Sequence, residues 1–502
     1  MNFLTLLLSV FFVLPGCSLA FAQQTGAQSQ GTQSGAGQPP GQRGSSQPGT
    51  AQLGAQQISP VGGQPSARPA SGGQQLPGAA VVKDAPSALS LAEAIQLAVQ
   101  NNLATLLAQE RRNEAHGLAR QALAALLPNL SGAAYQANIT QNLAALGFQP
   151  GTFPGIHSTF IGPFNNFDAR ARLVQTIFNL SAIRNYQAGR VGIQLAESQE
   201  VLAREEVAAA VSLTYLESLR ADRAVIAAQT NVELAQALLA LARDQRNAGV
   251  GTGVDVTRAE TRLAQEQVRL AQAQFAAEQA RLNLQRVVGL RLGSPLTLTD
   301  PLRFTPEPLP PVEVAVQQAG QNRPELRIAE LQVTLNDYER RAARAELLPS
   351  LEFVGDYGVS GITPTNIALP TRRVAVQLNV PIFNGGLTRG RITAATSRQR
   401  QAELTLSSVR GQVEEDVRLA LATLPTAADQ VRAADQAVTL AERELAMARD
   451  RFRAGVADNI EVITAQAALS NARETQVAAL AQYNAARLNL AAALGRAEAF
   501  RL

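Results

Sequence analysis

The stretch VAVQLNVPIFNGG occupies residues 374–386 and opens with apolar side chains at every second position. Val374, Val376, Leu378, Val380 and Ile382 alternate with Ala375, Gln377, Asn379 and Pro381. A period of two sends these two sets to opposite faces of a strand, so one face meets an apolar medium and the other meets water. Phe383 and a glycine pair then close the strand. From Gly386 to Arg453 strong helix formers follow, broken only by Pro425. The same strand-to-helix passage is written earlier. TIFNL sets Phe178 against Phe383, 383 − 178 = 205 positions apart, and no proline appears from about Ser181 to Arg246. At 1.5 Å per residue that is on the order of 100 Å of helix.

Working outward, the likeness extends over the whole body of the chain. AIQLAVQNN from Ala94 aligns with AVQQAGQNR from Ala315, and Pro128 of ALLPNL with Pro349 of ELLPSL, both at an offset of 349 − 128 = 221. RNAGVGTGVDVTRAETRL from Arg246 matches FRAGVADNIEVITAQAAL from Phe452, with Gly249 and Gly455 separated by 455 − 249 = 206. The offset shrinks between Pro128 and Phe178, so the first copy carries the longer connection, QNLAALGFQPGTFPGIHSTFIGPFNNF, punctuated as an irregular loop. Two copies of one unit are therefore predicted, each read as helix, strand, strand, long helix, turn, helix. The expected bounds are a helix over 86–127, a β-hairpin over 128–180 and coiled-coil helices over 181–290. A connector at 291–310 leads to the second helix at 311–348, hairpin at 349–385 and coiled-coil helices at 386–496. Pro128, Pro349 and Pro381 mark the junctions of strands and helices.

Seven-residue spacing of Val256, Leu263, Leu270, Ala277 and Leu284, with Ala259, Ala273 and Ala280 between, predicts a close-packed coiled-coil seam that Glu266 interrupts. Alternation also appears in Leu351, Phe353, Tyr357 and Val359 against Glu352, Asp356 and Ser360, and more weakly where Arg170 and Arg172 flank Ala171. The stretch from Leu130 to Thr140 is ambiguous. Strands of about ten residues are long enough to cross a bilayer when tilted. Nearby aromatics such as Tyr135, Phe164, Phe178 and Phe383 would be interfacial girdles in a membrane barrel, or simply core in a soluble sheet. If the medium is lipid, four strands cannot close on themselves, since closed barrels start at about eight. Several chains must then share one barrel, and three would give twelve strands.

The chain opens with MNFLTLLLSVFFVLPGCSLAFAQQ, which reads as a signal peptide over 1–22 ending in an A-x-A-like site. Its single cysteine, Cys17, falls inside that segment, leaving no thiol for disulfides, metals or nucleophilic catalysis. A rival reading takes Leu14 to Cys17 as a lipidation signal. Residues 23–85 are rich in Gln, Gly, Ser and Pro and are expected to be disordered. No later apolar run predicts a membrane-spanning helix. The net charge of +4 is spread in alternating signs, which argues against nucleic acid as a partner. His116 and His157 have no acids or thiols at ligand spacing, and no glycine-rich loop ends in Gly-Lys-Ser/Thr. Neither an enzyme nor a cofactor is expected.

From Leu89 to Gly495 the chain resembles the outer membrane efflux protein family, the TolC-like channels. The resemblance rests on LSLAEAIQLAVQNN, the two LLP-to-strand junctions, VPIFNGG at 380–386 and both glycine turns. It implies a homotrimer whose chains build one twelve-stranded β-barrel in outer membrane lipid, continued by an α-helical coiled-coil tunnel in the periplasm. It implies no catalysis: substrate passes through a water-filled duct, delivered by an inner-membrane transporter through a periplasmic adaptor. The connector would lie in the equatorial region outside the tunnel.

The two turns, Gly249, Val250, Thr252, Asp255 and Gly455, Val456, Asp458, Glu461, would be the inner tips where the adaptor docks and the entrance closes. Thr252 to Asp255 and Asp458 to Glu461 also have the spacing of capping boxes, which accounts for them structurally. Glu461 matches an acidic position that lines the entrance constriction, and Thr464 a position where some members place a second acid. A secreted coiled-coil scaffold or adhesin would share the signal and the helices but has no need of alternating strands. The cargo is not legible.

Overall fold

A computed structural model describes residues 78–79, 82–84, 86–149, 158–249, 251–366, 368–454, 456 and 459–502. The signal-peptide and Cys17 readings, nearly all of the 23–85 segment, His157, Val250, Gly455 and Asp458 lie outside the described residues.

After a short β1 (Ala88–Leu89) come α1 (Leu91–Asn101), α2 (Leu103–Ala124), β2 (Asn129–Asn142), β3 (Phe160–Phe178), α3 (Leu180–Asn247) and α4 (Gly253–Val288). Then β4 (Thr297–Leu298), which pairs in parallel with β1, leads to α5 (Val312–Asn322), α6 (Pro324–Ala345), β5 (Ser350–Gly361), β6 (Leu369–Asn379), α7 (Leu387–Arg453) and α8 (Asn459–Ala493). The order of two short helices, two strands, a long helix and its return runs twice along the chain.

Three departures from the sequence reading have local causes. The single helices predicted at 86–127 and 311–348 are each split in two. Asn102 leaves the helix at ψ 138° and its side chain accepts the Ala104 N–H at 2.9 Å, starting α2 afresh. Pro324 does the same for α6, because its ring disfavours helical geometry at Arg323. The strand predicted through Ile382 ends at Asn379, since Pro381 has no N–H to continue a ladder, and Ile382 is left 94 % exposed.

Pro425, read as a break, sits inside a continuous α7 of 67 residues. Leu424, Ala427 and Val431 around it are buried against Ala479, Tyr483 and Ala486 of α8, and this packing offsets the lost backbone bond. The expectation that no helix is apolar enough to span a membrane also fails by composition, because one 18-residue window of α3 has a mean hydropathy of 1.3. That helix packs along α1, α2, α4, α6 and α8, and its 68 residues run for about 100 Å.

The four long strands form one antiparallel sheet in the order β2-β3-β5-β6. Its register aligns Arg172 with Asp356 and Asp356 with Arg373, and so places Asp168, Arg170, Arg172, Glu352, Asp356, Arg373 and Gln377 on one face. The other face carries Ala169, Ala171, Leu173, Leu351, Phe353, Tyr357, Val359, Val374, Val376 and Leu378, with Arg372 as the charged exception opposite Tyr357. Val374, Val376 and Leu378 are each more than 60 % exposed. Among the described residues β2 and β6 each have one neighbour, so both edges of the sheet are open there.

The largest core lies at the opposite end of the short helices. Leu89, Leu91, Ile95, Val207, Val211, Tyr215, Leu284, Val288, Leu488 and Phe500 pack there. The connector is fastened to it by Asp300, which accepts the Leu91 N–H at 2.6 Å, and to a separate α7–α8 cluster by Phe304, which stacks edge-on against Tyr483 at 4.8 Å, and by Thr305 O, which accepts the Tyr483 hydroxyl at 2.6 Å.

Candidate functional site: the two helical turns and the duct wall

Between α3 and α4 the chain reverses in a few residues. Gly249 takes φ 78°, a left-handed conformation in which an L side chain is strained, and its N–H donates to Arg246 O at 3.0 Å. The Gly251 N–H donates to Gln245 O at 3.0 Å, and a Cβ at Gly251 would meet the Arg246 nitrogen at 3.0 Å. Thr252 caps α4: its hydroxyl oxygen accepts the Asp255 N–H at 3.3 Å, while the Asp255 carboxylate accepts the Thr252 N–H at 3.1 Å and its hydroxyl at 2.6 Å. This reciprocal capping satisfies free donors at the helix start and contributes about 1 kcal/mol.

At the second turn the Ala454 N–H donates to Asp450 O at 3.0 Å, the Val456 N–H to Arg451 O at 3.1 Å, and the Val456 side chain is exposed. Glu461 and Thr464 share an exposed face of α8, while Val462 and Ala465, each one residue further on, are buried. Glu461 pairs with Arg451 across the turn at 3.4 Å, and Thr464 bonds back to Ile460 O at 2.8 Å. Both Arg451 and Glu461 are about half exposed, so water screens the pair and it contributes little to stability.

Two contacts that the sequence reading missed hold the turns side by side. Asn459, only 3 % exposed, donates from its side chain to Asp255 O at 2.9 Å, and Gln245 donates to Phe452 O at 2.9 Å. Both link residues more than 200 positions apart, which no local pattern reveals. Above them Leu238 of α3 packs with Leu445 and Phe452 of α7 and with Val462 and Leu469 of α8. On the seam of α4, Val256, Ala259, Ala277, Ala280 and Leu284 are buried.

At the other end of the helices, the sheet is stitched to them around Pro128, Pro349 and Pro381. Gln175 donates to Leu126 O at 2.9 Å, Thr176 to Ala125 O at 2.8 Å and Asn129 to Ala124 O at 3.1 Å, while Glu346 and Arg391 pair at 2.9 Å. On the polar face of the sheet Arg170 bridges Asp168 and Asp356, reaching Asp356 at 3.3 Å. Among the described residues no group of three or more His, Cys, Asp or Glu side chains is placed to hold a metal ion.

The described wall of helices is open on both flanks. Exposed Val254, Val268, Phe275 and Leu282 recur at multiples of seven along α4. Leu404, Leu419, Leu440 and Met447 stand exposed along α7. The outer membrane efflux protein model matches residues 94–290 and 315–496, one match over each run of helix, strand and helix. This chain belongs to the outer membrane efflux protein family.

Among its relatives, the alkaline protease secretion protein AprF of Pseudomonas aeruginosa is 26 % identical over 318 residues, covering 62 % of this chain and 65 % of AprF. Protein CyaE of Bordetella pertussis is 28 % identical over 309 residues, covering 60 % of this chain and 64 % of CyaE. The chain thus spans just under two thirds of either relative. The solved structure of the outer membrane protein VceC from Vibrio cholerae superposes with a TM-score of 0.70 at 19 % identity, covering 81 % of this chain and 96 % of that one. That agreement is one of fold.

Proposed function

We propose that this efflux-family protein is a passive duct through the outer membrane, the exit component of an efflux or secretion system. The observation that carries this is the two-faced sheet with open edges, continuous with a wall of long helices whose own flanks expose apolar side chains. In lipid an unpaired strand edge is not tolerated, so the edges of β2 and β6 must find partners. A second copy supplies them: β6 of one chain against β2 of the next is a head-to-tail contact, and such contacts close into rings. Three copies give twelve strands, with Arg170, Asp168 and Asp356 facing a wet lumen and Val374, Val376 and Leu378 facing lipid. The same rotation brings the α7 flank of one chain to the α4 flank of the next. A helical tunnel about 100 Å long would then extend the barrel into the periplasm.

AprF carries protease secretion in its name and VceC is an outer membrane protein of a pathogen. By that analogy the cargo arrives from an inner-membrane transporter through a periplasmic adaptor that meets the paired turns at Gly249 and Val456. No catalytic step is needed. The duct supplies a path, and the driving force comes from the transporter.

Purified protein in detergent is expected to have three times the mass of one chain by light scattering, and to conduct ions when added to planar bilayers. A monomer that stays in aqueous buffer without conductance would return the protein to the scaffold class. A finer expectation concerns the turn. Three Glu461 carboxylates gathered near one axis attract cations, so Glu461→Gln should lower the cation-to-anion permeability ratio about twofold, read as a reversal potential across a salt gradient. An unchanged reversal potential confines Glu461 to its pairing with Arg451.

A further inference from the structure

Among the described residues the apolar face of the sheet carries one charged side chain. Arg372 of β6 stands there, paired across the strands with Tyr357 of β5, which is paired in turn with Ala171 of β3. Both Arg372 and Tyr357 are exposed, and neither side chain has a hydrogen-bond or ion-pair partner among the described residues. Below Arg372, towards the helices, the same face of β6 continues with Val374, Val376 and Leu378. Arg372 lies 379 − 372 = 7 residues from the strand end nearest the helices and 372 − 369 = 3 from the other end. At about 3.3 Å per residue and a barrel tilt of about 40°, it stands about 18 Å up an apolar band about 25 Å tall.

No acid on the strands or on their connections away from the helices serves as its counter-charge. Asp168, Glu352 and Asp356 are the acids of the four long strands, and all three lie on the opposite face. β2, which would flank β6 in a ring of copies, holds no charged residue. The connections 143–159 and 362–368 hold no Asp or Glu. A lipid-facing arginine is costly at the bilayer midplane, and that cost falls away towards the interface. From the height of Arg372 the stem can follow the apolar face while the guanidinium rises to the headgroups. A guanidinium presents a planar fork of donors that matches two oxygens of a phosphate. Directly paired positions stand about 5 Å apart at Cβ, so the Tyr357 hydroxyl can add a donor to the same group.

We propose that Arg372 and Tyr357 form a docking site on the outside of the barrel for the phosphate of an outer-leaflet lipid headgroup. The inference rests on the duct reading, in which this face meets lipid and the strand ends away from the helices are outermost. It gives the wall a ligand: each copy in the ring holds one anionic lipid, and the lipid supplies the charge that the protein omits.

The test is native mass spectrometry of the full chain in detergent, with dioleoyl phosphatidic acid or zwitterionic dioleoyl phosphatidylcholine added. The wild type is expected to hold phosphatidic acid about tenfold more tightly than phosphatidylcholine. R372Q should abolish that preference and Y357F should weaken it about twofold, while R373Q, one residue along on the polar face, should retain it. R372K keeps the charge without the fork and should lose part of the preference, so it decides should R372Q fail to assemble. A preference as strong in the Arg372 variant that assembles as in the wild type, or lost equally in R373Q, overturns the site. Millimolar inorganic phosphate should leave the lipid bound; displacement would mark a site for free anions and overturn the lipid assignment. Planar-bilayer conductance is read separately. A wild type without current defeats the duct reading even where lipid preference follows Arg372, and a conducting wild type without the preference defeats the docking site alone.

Discussion

Val376→Arg is expected to abolish assembly in the membrane, while Gln377→Arg, one residue along the same strand, leaves it intact. The two positions differ only in face. Val376 lies beside Phe353 on the apolar side of the sheet and is 61 % exposed in the single chain. Gln377 lies beside Glu352 on the polar side, where an added arginine would find an opposite charge. An arginine on the lipid side of a barrel costs about 2–4 kcal/mol at the bilayer midplane. Three copies in one ring raise that to about 6–12 kcal/mol per assembly, comparable to the whole stability of an ordinary domain. Heat-resistant oligomer on gels and the fraction recovered in outer membranes read the outcome. Equal behaviour of the two variants would mean that the sheet does not separate lipid from water, and the duct would lose its wall.

How much of this was legible before any coordinates follows from which forces act locally. The alternation from Val374 to Leu378 is a property of consecutive residues, and so are the reciprocal cap of Thr252 and Asp255 and the left-handed turn at Gly249. The end of β6 was also written in the chain, in the missing N–H of Pro381, but the apolar alternation running on to Ile382 outvoted it. Pro425 shows the opposite imbalance. A proline is a strong local signal against helix, yet Leu424 and Val431 are buried on both sides of it and α7 continues.

Asn459, Gln245 and the hydrogen bond from Asn231 of α3 to Ser470 of α8 were illegible for a different reason. They act between helices more than 200 residues apart, and their patterns carry no periodic mark. Glu266 was visible as an interruption of the seam, but its burial beside Arg262 was not. The long-range polar contacts, not the elements, were what sequence withheld.

The second large effect is expected half-way along α3, where Tyr215 is fully buried. Its hydroxyl lies 3.0 Å from Leu89 O and 2.9 Å from the Asp300 carboxylate, and accepts the Asp300 N–H at 3.4 Å. Burial and the neighbouring Asp300 push its phenol above the ordinary range. Tyr215→Ala empties a ring-sized volume between α1, α3 and the connector and should cost about 4 kcal/mol. Tyr215→Phe keeps the ring and removes the hydroxyl; Asp300 retains the Leu91 N–H, and the cost should be about 1–2 kcal/mol. Denaturant midpoints give both numbers, and proteolysis within 291–310 should rise mainly in the alanine variant, because that change loosens the surface on which the connector is held. Equal losses from the two substitutions would place the stabilisation in the hydroxyl network, and the aromatic packing would then not be what anchors the connector.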